Sequence, residues 1–182
     1  MAKSGKPIRH FVKRVLRQYP VVERSGGKRF IVDYEHPRVA GFIDAAHEEG
    51  ARAAASGRDY VEAAARRIST PAPITAAQEA EMFNSPSDRN RRLYKQRGNK
   101  VYLSEVIKHN ALTPTEQGTL LIRALQKQGI SSSLVSGQSS LGGKLVFVRL
   151  GDGRFVDVGG GRVVEKGNAL LKKVAWTEIP PK

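Results

Sequence analysis

The sequence predicts an α+β protein, with an N-terminal basic and mainly helical region followed by a helix packed on a small antiparallel sheet. Three observations predict it. Residues 37–68 are rich in alanine and other helix formers, Thr113 to Gly129 carries both a helix start and a helix stop, and from Ser131 short β-branched runs alternate with glycine turns. The 182 residues are enough to bury a full core. Composition and breaker residues divide the chain into three regions: 1–69, basic and mainly helical; 70–99, a helical connector with a basic cluster; and 100–182, the α+β core.

Pro7 to Tyr19 winds as a helix with Ile8, Phe11, Val12, Val15 and Leu16 on one side and its cations largely on the other. Ser25-Gly26-Gly27 is a turn signal, and Lys28 to Tyr34 has the aromatic and β-branched content of a strand. Residues 37–55 then open with Pro37, suited to a first helical position, and form a helix expected to be loosened at Gly41 and Gly50. Asp59 is placed to cap a second helix through Ile68. Pro71 and Pro73 break the chain, and Thr75 with Gln78 forms a capping-box pattern for a helix to about Phe83.

The basic segment from Asp88 to Arg97 leads into Gly98-Asn99, after which Val101, Leu103, Val106 and Ile107 supply apolar positions before a turn at His109-Asn110. Thr113 is a natural N-cap, Pro114 fits the first helical position, and Glu116 stands three residues after the cap. Leu120, Leu121, Ala124 and Leu125 form the core stripe of this helix, which stops at Gly129. Ser131 to Ser136, Lys144 to Leu150 and Arg154 to Val158 read as strands. Gly151-Asp152-Gly153 is the hairpin turn between the last two, and Ser136 to Gly143 is a loop between the first two. Lys172 to Ile179 adds an edge strand closed by Pro180 and Pro181.

Charge is the strongest compositional signal. The formal net charge is +14, a field that concentrates polyanions at the surface. One basic block comprises Lys3, Lys6, Arg9, Lys13, Arg14, Arg17, Arg24, Lys28 and Arg29 against Glu23 alone; a second comprises Arg89, Arg91, Arg92, Lys95, Arg97 and Lys100 beside Asp88. Lys6, Arg9, Lys13, Arg14 and Arg17 in the first, with Arg89, Arg91, Arg92, Lys95 and Arg97 in the second, are the candidate nucleic-acid contacts. An acidic protein surface is the other partner such blocks fit.

The chain contains no cysteine, which excludes disulfides, thiolate metal sites and thiol nucleophiles. His10, His36, His47 and His109 are scattered without metal-ligand spacing, so no metal is expected, nor any cofactor. Gly159-Gly160-Gly161 lacks the Gly-Lys-Ser/Thr ending of a phosphate loop and reads as a turn. No run approaches the roughly 20 apolar residues of a membrane span. The start, MAKSGKPIRHFVKR, has no apolar signal core. A soluble protein, cytoplasmic or particle-associated, is expected.

The run TEQGTLLIRALQKQGISSSLVSG, followed by GGKLVFVRL and DGRFVDVGGG, resembles the core of transglutaminase-like and arylamine-acetyltransferase-like domains of the papain-like superfamily. The resemblance covers roughly residues 100–165. It implies a nucleophilic cysteine at the start of the helix that ends in Gly129-Ile130, a histidine opening the following strand, and an aspartate on the next. Pro114 stands at or beside the first position and Lys144 at the second, while Asp157 matches the third. The resemblance therefore implies the fold and argues against the family's reaction. Thr113 and Thr115, which flank the vacant nucleophile position, together with Lys144 as base and Asp157, are the residues from which an unusual hydrolase or transferase site would be assembled.

These readings converge on a non-enzymatic binding or structural component of a nucleoprotein or other large assembly, such as a phage particle. An enzyme with a Thr/Lys/Asp site, or an inactivated effector or toxin domain, is the alternative.

Overall fold

The computed structural model describes residues 19–70, 85–139, 142–165, 167–168, 171 and 173–180. Of the sequence-predicted helix Pro7–Tyr19 all but Tyr19, which lies in no helix, falls outside the described residues, as do the helix predicted at 75–83 and Lys6, Arg9, Lys13, Arg14 and Arg17. The rest is α+β, with five helices and two sheets among the described residues. No described helix is long and apolar enough to cross a membrane.

The first sheet is built from three short strands far apart in sequence. β1 (Val21–Glu23) and β2 (Arg29–Ile31) pair antiparallel across the Ser25–Gly27 turn, and β2 then pairs in parallel with β3 (Lys100–Tyr102). Phe30, opposite both Val22 and Val101, is fully buried along with them. A parallel pair needs a long crossover, and the described residues of this one include the helices α1 (Pro37–Ala55), α2 (Tyr60–Ser69) and α3 (Pro86–Gln96).

Each of those helices starts on a local signal. His36 Nδ1 accepts the Arg38 N–H at 3.2 Å ahead of Pro37, Asp59 Oδ1 accepts the Glu62 N–H at 2.9 Å, and Ser85 Oγ accepts the Asp88 N–H at 3.2 Å ahead of Pro86. The expected loosening of α1 is corrected: the helix is continuous over its 19 residues. Gly50 is there because a Cβ would stand 2.6 Å from the Tyr60 ring, so the missing side chain lets α1 and α2 close on one another. Tyr60 in turn donates its hydroxyl to the Ala124 carbonyl at 3.2 Å, and His47 Nδ1 lies 2.8 Å from the Tyr60 hydroxyl oxygen.

After β3 the chain turns into α4 (Leu103–Lys108), pinned by the buried Asp33, whose carboxylate accepts from the Ser104 N–H at 3.1 Å and from its hydroxyl at 2.5 Å. α5 (Pro114–Lys127) follows and is the central helix, touching α1, α2 and the second sheet. Its end is a left-handed stop: Gly129 has φ of 75°, and the Ile130 N–H donates back to the Leu125 carbonyl at 3.0 Å.

The second sheet comprises β4 (Ser132–Gln138), β5 (Lys144–Leu150), β6 (Phe155–Asp157), β7 (Arg162–Val164) and β8 (Thr177–Glu178), all antiparallel in the order β7-β6-β5-β4-β8. β4 continues two residues beyond the expected Ser136, because Ser136 to Gln138 stay in register with Val146 to Lys144. The expected edge strand at 172–179 shortens to β8. The reason is visible upstream of it, where Trp176 packs edge-to-face with Phe147 and tilted against Phe155 at centroid distances of 5.4 and 5.1 Å and donates to the Leu171 carbonyl. That stretch covers the outer face of the sheet instead of extending its edge.

The inner face of the sheet meets α5, with Leu134 and Val148 against Gly118. One cluster of buried residues runs from Val22 through Phe30, α1, α2 and α5 to Leu134, Val148 and Val158. The start of α5 thus lies where the first sheet, α3 and the second sheet come together.

Candidate functional site

The N-terminus of α5 is organised by a buried carboxylate. Glu116 is 0% exposed. Its Oε2 accepts the Thr113 N–H at 3.1 Å and the Thr113 hydroxyl, which is the reach-back half of the capping box that the Thr-Pro-Thr-Glu order specifies. Its Oε1 accepts from Arg24 Nη1 at 2.6 Å, from Asn90 Nδ2 at 3.2 Å and from the Tyr94 hydroxyl at 3.3 Å. One side chain therefore ties α5 to α3 and to the turn after β1.

The partners are held as firmly. Arg24 also donates to Asn90 Oδ1 at 2.9 Å, Asn90 donates to the Ala111 carbonyl at 2.8 Å, and the Arg24 guanidinium lies 5.3 Å from the centre of the Tyr94 ring. Burial, and next the adjacent Glu116 charge, raise the Tyr94 phenol well above its ordinary value, with Arg24 opposing. Tyr94 stays neutral and Glu116 has its counter-charge in Arg24, so the network is a satisfied one.

Above this floor opens a cleft of about 320 Å³ lined by residues of four chain segments: Arg24, Ser25 and Lys28; Ser87, Asn90 and Arg91; Thr113, Pro114 and Thr115; and Lys144 and Val146. Four cations border it. The Lys28 ammonium lies 5.6 Å from the Tyr94 ring centre, and Arg91 reaches Asp88 only at 3.6 Å with its side chain 75% exposed. The Asp88 carboxyl is held below the usual range, chiefly by the Ser85 hydroxyl and then by Arg91 and Arg92. Among the described residues, Lys28 and Lys144 form no ion pair.

The structure distributes the sequence-predicted residues unevenly. Thr113, Pro114, Thr115 and Lys144 do meet at this cleft. Asp157 does not join them. Paired residues of a sheet share a face and neighbours alternate; with Val148 opposite Val156, Lys144 falls on the inner face and Asp157 on the outer. The Asp157 carboxylate accepts the Gly160 N–H at 3.0 Å and lies 3.6 Å from Arg162, so its work is to close the turn between β6 and β7. Thr113 is 7% exposed and its hydroxyl is given to Glu116 rather than to Lys144. No Thr–Lys–Asp relay is assembled among the described residues.

The second basic block divides likewise. Its helix, α3, buries Asn90, Leu93 and Tyr94 and turns Arg91, Arg92 and Lys95 outward. Arg89, predicted as a nucleic-acid contact, donates through Nε and Nη2 to the Asn110 carbonyl at 3.0 and 2.9 Å and so ties α3 to the turn after α4. Arg97 pairs with Glu105 at 2.9 Å while remaining exposed. Sequence reasoning placed Arg24 and Lys28 in a basic block without singling them out, and it did not bring Arg24, Asn90 and Tyr94 to Glu116. No local pattern marks these contacts, since Arg24 and Glu116 are 92 residues apart.

Comparison with protein-family models, with curated proteins and with solved structures gave no match.

Proposed function

We propose that the chain is a non-enzymatic binding component of a nucleoprotein or other large assembly, such as a phage particle, and that it engages polyanions through its cationic surfaces. The observation that carries this reading is the convergence of Arg24, Lys28, Arg91 and Lys144 on one cleft from separate parts of the chain. Of these four only Arg24 pairs with the buried Glu116, no carboxylate among the described residues lines the cleft, and the outward face of α3 extends the positive surface through Arg92 and Lys95. Like charges gathered in this way repel one another, and an anionic partner relieves that repulsion.

We read α5 with β4, β5 and β6 as a degenerate transglutaminase-like core. Supporting that reading are the order of elements, helix then antiparallel strands, and the meeting of Pro114 with Lys144 at one cleft. Proline offers no nucleophile, and Thr113 is engaged in capping. On this scaffold the cleft binds and has no reaction to perform.

Purification of the expressed chain with and without nuclease tests the proposal. Nucleic acid is expected to accompany the protein at low salt and to be lost on nuclease treatment. A preparation free of nucleic acid, whose partners are acidic proteins retained after nuclease, would replace the nucleic-acid reading with a protein-surface one.

A further inference from the structure

We infer that the cleft at the start of α5 is a phosphate-ester site, with Lys28, Arg91 and Lys144 as the phosphate-contacting cations. The inference rests on the polyanion-binding reading above and names the group that this particular cleft takes. Arg24 is already committed to Glu116 and Asn90, so it fixes the floor of the cleft and the position of Tyr94. Lys28, Arg91 and Lys144 come from the turn after β1, from α3 and from β5, and none has a strong ionic partner among the described residues.

Charge and donor number distinguish the possible anions. Setting Arg24 against Glu116 leaves three cationic side chains, and the hydroxyls of Ser25 and Ser87 also border the cleft. A carboxylate brings one charge and two oxygens, fewer than these donors can use. A phosphate monoester brings up to two charges and three terminal oxygens, and a run of backbone diesters brings one charge and two terminal oxygens at each of several phosphates, so either answers three cations converging from different directions. Pro114 and Val146 give the cleft an apolar side against which the carbon portion of an ester can lie.

The phosphate could be a backbone diester of a single strand or a terminal monoester, and one experiment separates the two. Binding of a short single-stranded oligonucleotide, with and without a 5′ phosphate, would be measured for the intact chain and for Lys28→Ala/Arg91→Ala/Lys144→Ala. An equal-charge control, Arg38→Ala/Lys108→Ala/Lys173→Ala, removes three exposed cations that do not line the cleft. The cleft variant is expected to lose about tenfold or more in affinity and to flatten the log–log salt slope by about two, with the control close to the parent.

If the 5′ phosphate strengthens binding and the cleft variant abolishes that gain, the terminal monoester is the ligand. Equal weakening of both strands identifies the backbone diester. Equal losses in the cleft variant and the control would overturn the inference while leaving general polyanion binding intact. Pyrophosphate, followed by its effect on thermal unfolding, is the second probe. A stabilisation that disappears in the cleft variant, without oligonucleotide binding by the parent, would keep the phosphate site and remove the nucleoprotein reading.

Discussion

Replacing Glu116 by alanine is expected to lower the unfolding free energy by about 3–5 kcal/mol, the range found when one partner of a buried ion pair is removed. The carboxylate is fully buried and serves five donors on four residues. Its loss leaves Arg24, whose side chain is only 19% exposed, without a counter-charge. Asn90 and Tyr94 lose an acceptor in the interior, and Thr113 loses the reach-back bond of the helix start, each loss adding to the cost. Denaturant unfolding of Glu116→Ala, Arg24→Ala and the double variant measures this directly, and the double variant is expected to fall well short of the sum of the two singles. A loss below about 1 kcal/mol for Glu116→Ala, the size of one ordinary hydrogen bond, would mean that the network does not organise the site.

Phe30→Ala is the second large effect expected, at about 3–5 kcal/mol for a buried phenylalanine whose space cannot collapse. Phe30 stands at the centre of the first sheet, between Val22 and Val101, and all three are buried. The neighbouring strands are only three residues long, so they have little else to hold them together. Because β1 leads into the turn carrying Arg24 and Lys28, the variant is also expected to weaken the cleft. Loss of stability with unchanged polyanion affinity would show that the turn is positioned by the Glu116 network alone.

What was legible in the sequence was local. Pro37, Asp59, Thr113 with Glu116, and Gly129 each satisfy or terminate a backbone end through neighbours a few residues away, and the helices begin and end where those residues say. β5 was readable for the same reason, being a continuous β-branched and aromatic run between glycine turns. The start of α3 carries a comparable signal in Ser85-Pro86-Ser87-Asp88, but its dense charge reads first as a basic segment and masks the buried stripe of Asn90, Leu93 and Tyr94.

The rest depends on contacts between distant residues. The parallel pairing of β2 with β3 joins Arg29 to Lys100, and no turn chemistry specifies it. The role of Glu116 was half readable: its capping of Thr113 is written in a four-residue pattern, whereas its pairing with Arg24 arises only when α5, α3 and the β1 turn pack together. Asp157 shows the opposite failure. Its position after a glycine turn suited a catalytic carboxylate, but a strand's alternation sets it on the face away from Lys144.

Oligonucleotide affinity measured as a function of salt tests the central claim most directly. If Lys28, Arg91 and Lys144 each neutralise a backbone phosphate, log K should fall against log salt with a slope of about −2, at roughly 0.7 per phosphate on a single strand. A slope near zero, or no binding at low salt, would contradict the account.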